Sequence, residues 1–116
     1  MRSFELIEEV YRRKREERER LRQSVLKKVF EALDRLRREV PFREAYIFGS
    51  LSRPYAFYES SDIDIAFCGL PEEKFLFAMA FLSDLLERDV DVVMLEKSKF
   101  KEKILREGIR WTPDLG

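Results

Sequence analysis

The sequence predicts a single α+β domain, layered in the α/β manner: a small mixed sheet of three to four strands, helices packed on one face, and a long N-terminal helix. Three observations carry this. The chain has 116 residues, enough for one hydrophobic core and no second. Its first forty residues repeat apolar side chains at helical spacing and stop at Pro41. Beyond Pro41 the order reads strand, strand, helix, strand, helix, a pattern of mixed layers.

From Ser3 to Val40, Phe4, Ile7, Val10 and Tyr11 recur with a helical period, and Leu21, Val25, Val29, Phe30, Leu33 and Leu36 do so again. Between them Arg12 to Arg20 contains no apolar group. This run is held helical by Glu and Arg pairs and reads as a solvated face. The region forms either one helix projecting past the domain or two helices breaking near Ser24. Its apolar tip, Phe4 to Tyr11, needs a cover, so an oligomer arm or a docking surface is the alternative use. We therefore divide the chain into a charged helical extension, residues 1–40, and a compact part, residues 41–116.

Tyr46-Ile47-Phe48 reads as a strand ended by Gly49. Ser50 to Ser61 is a loop, broken by Pro54 and small residues. Ile63, Ile65 and Phe67 alternate with Asp62, Asp64 and Ala66, the mark of a half-buried strand. After the Gly69-Leu70-Pro71 turn, Lys74 to Leu86 repeats Phe75, Met79, Leu82, Leu86 and Phe77, Phe81, Leu85, which is helical and assigned to packing. Val90 to Leu95 is a third strand, Lys97 to Glu107 a helix stopped by Gly108, and Ile109-Arg110-Trp111 a last edge strand. The first two strands pair as sequence neighbours, and the intervening helix provides the crossover to the third.

Composition narrows the chemistry. With 45 % hydrophobic and 40 % charged residues, and no apolar run near the roughly 18 residues of a membrane span, the chain reads as a cytoplasmic protein with no membrane partner. Met1-Arg2-Ser3-Phe4 opens without an apolar signal core, which points away from export. Cys68 is the one cysteine and there is no histidine, so an internal disulfide, the usual zinc sites and imidazole bases are excluded. Any acid, base or metal chemistry rests on carboxylates. Residues 1–40 hold 13 Lys and Arg against 9 Asp and Glu, and the rest hold 10 against 14. That asymmetry is too mild to call for direct nucleic-acid binding.

The carboxylates that matter are Asp62, Asp64 and Asp91. Spacing two on a strand sends Asp62 and Asp64 to one face, about 7 Å apart at roughly 3.3 Å of rise per residue. Such a pair can bracket hard cations, and magnesium is commonly held by one or two carboxylates plus substrate phosphates. Asp91, flanked by Val90 and Val92, asks for a partner such as a metal. Gly49 and Ser50 supply the other half: glycine lets the backbone approach phosphate, and turn amides with a hydroxyl bind anionic oxygens. Arg53 adds positive charge. Together these suit phosphoryl transfer with two metal ions, Asp91 on its separate strand serving as general base.

Gly49-Ser50, eleven residues, Asp62-Ile63-Asp64 and later Val90-Asp91-Val92-Val93 resemble the signature of the minimal nucleotidyltransferases (MNT), the small single-domain branch of the DNA polymerase β superfamily. The resemblance covers residues 42 to about 112 and includes Ile104 to Ile109. Members usually read Gly-Ser-x-Ala-Arg-Gly before Ser-Asp-x-Asp; here Arg53 and Ser61 match, while Ser52 and Pro54 stand in for alanine and glycine. The resemblance implies a polymerase β-like fold, with Asp62, Asp64 and Asp91 as catalytic and metal-binding residues and Gly49, Ser50, Arg53 and Ser61 at the nucleotide. It implies two Mg2+ ions and transfer of AMP from ATP to a tyrosine of a partner HEPN-domain toxin, the chain being the antitoxin. Two other readings stay open: a non-catalytic antitoxin acting by contact, and nucleotidyl transfer to a small molecule, which would normally need an added acceptor-binding domain.

Overall fold

A computed structural model describes residues 2–113; residue 1 and residues 114–116, the outer ends of the two predicted segments, lie outside the described residues. The first element is one unbroken helix, α1 (Arg2–Glu39). Ser24 does not interrupt it. At 1.5 Å per residue its 38 residues span about 57 Å, which accounts for the 60 Å long axis of the molecule. Its second half carries the apolar core contacts: Val25, Val29, Ala32, Leu33 and Leu36 are buried at helical spacing. Burial of each larger side chain contributes roughly 1.5–3 kcal/mol. Val40 extends the turn by donating its N–H to Leu36 at 3.0 Å, and Pro41 follows.

The sheet comprises β1 (Glu44–Phe48), β2 (Ile63–Cys68), β3 (Val90–Met94) and β4 (Ile109–Trp111), in spatial order β3-β2-β1-β4. β1 pairs antiparallel with β2 and with β4, while β2 and β3 run parallel. That parallel pair requires a crossover, provided by α2 (Phe75–Leu86). The predicted neighbours, crossover and last edge strand are therefore all present.

The long helices α1 and α2 cover one face of the sheet, packing Leu33, Leu36, Ala78 and Leu82 on Ala45, Ile47, Ile63, Ile65 and Phe67. The short helix α3 (Lys101–Glu107) lies on the opposite face, where Ile104 and Leu95 cover Tyr46 and Ala66. Strand alternation makes both faces usable: Ile63 and Ile65 point to the thick core, Asp64 and Ala66 to the thinner side. This thin side is where a site can open.

Local boundaries shift from the periodic pattern in two places. The stretch from Leu95 to Lys97 is a 3-10 turn, and α3 begins only at Lys101. Phe77, grouped with the core stripe by spacing, is 43 % exposed and leans on Phe81 with ring centroids 5.7 Å apart. Phe4, Leu6, Ile7, Val10 and Tyr11 are all exposed at the free end of α1. Among the described residues no helix is long and apolar enough to cross a membrane.

Candidate active site

β1 runs Ala45 and Ile47 into the core and delivers Phe48 to the thin face. Gly49 then adopts φ +72°, a conformation L side chains avoid, and opens the 3-10 turn Gly49–Ser52. The turn is fastened from within. Ser52 donates its hydroxyl to the Gly49 carbonyl at 2.7 Å, and the Arg53 N–H reaches the Ser50 carbonyl at 3.2 Å. Leu51 is fully buried beneath it, so the turn is pinned on its apolar side.

Asp64 stands directly beside this turn. In register it lies opposite Phe48 on β1 and opposite Asp91 on β3. Side chains of directly opposed residues share a face, which brings Asp64 and Asp91 together from neighbouring strands. A β-carbon on Gly49 would collide with Asp64 Oδ2; only glycine lets the turn close over that carboxylate. Asp62 sits just before β2 begins, with an exposed side chain. Asp91 is also exposed, on edge strand β3. The flanking valines face the other way, so its charge is solvated and is not the buried, costly charge that its sequence context suggests.

The electrostatics mark Asp64. Its carboxyl is pushed up to about 6, first by burial, then by the charge of Asp91 and that of Asp62. Among the described residues no three acidic, thiol or imidazole groups close into a ready-made ion cage. A half-buried carboxylate crowded by two like charges is nevertheless relieved by a hard divalent cation that keeps water and takes phosphate oxygens as its other ligands. The donor set fits magnesium in that mode.

Arg53 lies at the rim of a cavity of about 250 Å³ between the Gly49 turn and α3. Phe48, Gly49 and Ser52 form one wall and Phe100, Lys103 and Ile104 the other. Sequence reasoning missed Phe100 and Lys103, because a short helix on the far side of the sheet carries no motif. Ser61 is placed differently: its hydroxyl accepts the Tyr58 N–H at 2.9 Å and its carbonyl accepts Arg88 at 3.2 Å. It shapes the loop before Asp62 and does not line that cavity.

The model of the family described as polymerase beta, nucleotidyltransferase matches residues 31–111. The chain belongs to this family. The nucleotidyltransferase resembles a solved toxin-antitoxin structure with AMP-PNP, at 26 % identity over 72 % of this chain and 73 % of that one, TM-score 0.61. A Sulfolobus solfataricus protein described as a nucleotidyltransferase aligns at 27 % identity over 82 % and 86 % of the two chains, TM-score 0.53. A protein described as a minimal nucleotidyltransferase aligns at 26 % identity over 82 % and 93 %, TM-score 0.50. No curated protein matches the nucleotidyltransferase.

Proposed function

We propose that this nucleotidyltransferase passes AMP from ATP, with magnesium, to a tyrosine hydroxyl of a partner HEPN-type toxin. The observation that carries the reading is the meeting of Asp64 and Asp91 on adjacent strands beneath the Gly49 turn. The likeness to a toxin-antitoxin structure solved with AMP-PNP supports the nucleotide and the kind of partner.

In this reading Asp62, Asp64 and Asp91 hold two magnesium ions, which supply neutralisation of the triphosphate and of the charge that develops on departing pyrophosphate. Gly49 and Ser50 present turn amides and a hydroxyl to phosphate oxygens. Arg53 and Lys103 line the same cavity, together with Glu107, and would add positive charge beside the phosphates. Phe100, exposed at its edge, offers a ring on which a base can stack. Asp91, on the edge strand, is open to an incoming acceptor: it takes the hydroxyl proton as the tyrosine oxygen bonds to the α-phosphorus and the bond to pyrophosphate breaks.

The test is incubation with ATP, magnesium and a HEPN-type toxin from the same genome. A mass increase of one or more AMP units on a toxin tyrosine is expected; an unmodified toxin overturns the reading. Neutralisation by contact alone is the second reading, favoured by the uncovered stripe from Phe4 to Tyr11. Asp64→Ala separates the two, since neutralisation is lost only where catalysis is needed.

A further inference from the structure

The loop from Leu51 to Tyr58 joins the two halves of the site, with the Gly49 turn at one end and Asp62 after the other. A bulky residue in it has an unfavourable backbone. Tyr55 adopts φ +64°, in a turn closed by the Ala56 N–H to the Arg53 carbonyl at 3.3 Å, with Pro54 before it. Turns of this kind usually give that position to glycine. Something outside the loop must hold it there.

That support comes from α1. Arg15, Arg18, Glu19 and Arg22 recur at core-stripe spacing inside and just beyond the charged run, and they face the loop. Glu19 accepts the Tyr55 N–H at 2.8 Å. Arg22, the one buried charged side chain among the described residues, donates to the Leu51 carbonyl at 3.0 Å and grips both Glu19 oxygens at 2.9 and 2.7 Å. Arg15 and Arg18 lie over the Tyr55 and Tyr58 rings, 4.1 and 4.8 Å from the centroids. All four residues precede the part of the chain that matches the family model.

We infer that Glu19 and Arg22 are positioning residues: they lock the loop so that the Gly49 turn and Arg53 meet the nucleotide in one geometry. The inference rests on the nucleotide reading of the site. α1 thereby acts as a splint on the site from outside the matched domain.

The experiment uses the full chain, with Glu19→Ala, Arg22→Met and the conservative Arg22→Lys. Amide hydrogen exchange is followed at residues 51–58, and titration calorimetry measures binding of AMP-PNP with magnesium. In Glu19→Ala and Arg22→Met, exchange at the Tyr55 amide should rise at least tenfold and AMP-PNP affinity should fall at least tenfold, while β1 and β2 amides stay protected. Arg22→Lys should fall between these and wild type. Unchanged exchange at Tyr55 overturns the inference, as does a loosened loop with unchanged affinity, or loss of protection in β1 and β2 together. A wild-type chain that takes up no AMP-PNP overturns the nucleotide reading, while exchange at Tyr55 still decides whether the pair holds the loop.

Discussion

Gly49 and Asp64 occupy one volume that a single additional carbon would overfill: the missing β-carbon of the glycine is the space taken by Asp64 Oδ2. Gly49→Ala therefore has two costs, the left-handed backbone at φ +72° and displacement of the carboxylate. The backbone alone accounts for about 1–3 kcal/mol. Thermal denaturation should show that loss, and transfer activity should fall further than stability does, because the carboxylate is moved off its place opposite Asp91.

Asp64 predicts a pH dependence with a definite sign. Its folded-state value of about 6 lies above the ordinary 3.8, so the native chain binds the extra proton. Its contribution to stability is present below about pH 3.8 and is lost as pH rises through about 6. Asp64→Asn should flatten the fall in melting temperature across that window. Glu19, held down to about 2 by Arg22, acts at lower pH and with the opposite sign: its contribution is lost only as pH falls from about 4.5 through 2. Magnesium should raise the wild-type melting temperature more at pH 7 than at pH 5, since the cation needs the deprotonated carboxylate.

Asp91→Asn should separate chemistry from folding. The side chain is exposed on an edge strand, so stability should change by no more than about 0.5 kcal/mol. On the proposed role of Asp91 as general base and cation ligand, the substitution should lower kcat by about 10²–10⁴-fold. A circular dichroism melt paired with a transfer assay checks both.

Trp111 is the large side chain that fastens β4. It is 2 % exposed, meets Phe42 with ring centroids 5.2 Å apart, and donates its indole N–H to Asp34 at 3.1 Å. Trp111→Ala should cost about 3–5 kcal/mol, read by denaturant unfolding. Trp111→Phe should cost less, because a six-membered aromatic ring still fills part of the site, although the hydrogen bond to α1 and the rest of the indole volume are lost.

Deleting residues 2–11 should leave the melting temperature nearly unchanged. Phe4, Leu6, Ile7, Val10 and Tyr11 are exposed and contribute no burial to the core. A melting temperature held within about 2 °C, measured by calorimetry, is the expected result.

The alternation around Ile63 and Ile65, the helical period from Val25 to Leu36 and the glycine after Phe48 were legible in the sequence, because each is a local rule of backbone geometry. So was Gly49 as the turn that ends β1, while Asp62, Asp64 and Asp91 were legible as acidic candidates by their spacing alone. The sequence by itself determined the element order, and it left carboxylates as the candidates for acid, base or metal chemistry because histidine and paired cysteines are absent. Tertiary structure decided what depends on distant partners. It put α3, Phe100 and Lys103 on the thin face beside the Gly49 turn, left Asp91 solvated, and turned Ser61 to loop geometry. It also turned Glu19 of the charged run, with Arg22 just beyond it, from a solvated face into the support of Leu51 and Tyr55. A charged residue looks the same in sequence whether water or a carbonyl 29 residues away accepts its proton; only the fold brings that carbonyl within 3.0 Å.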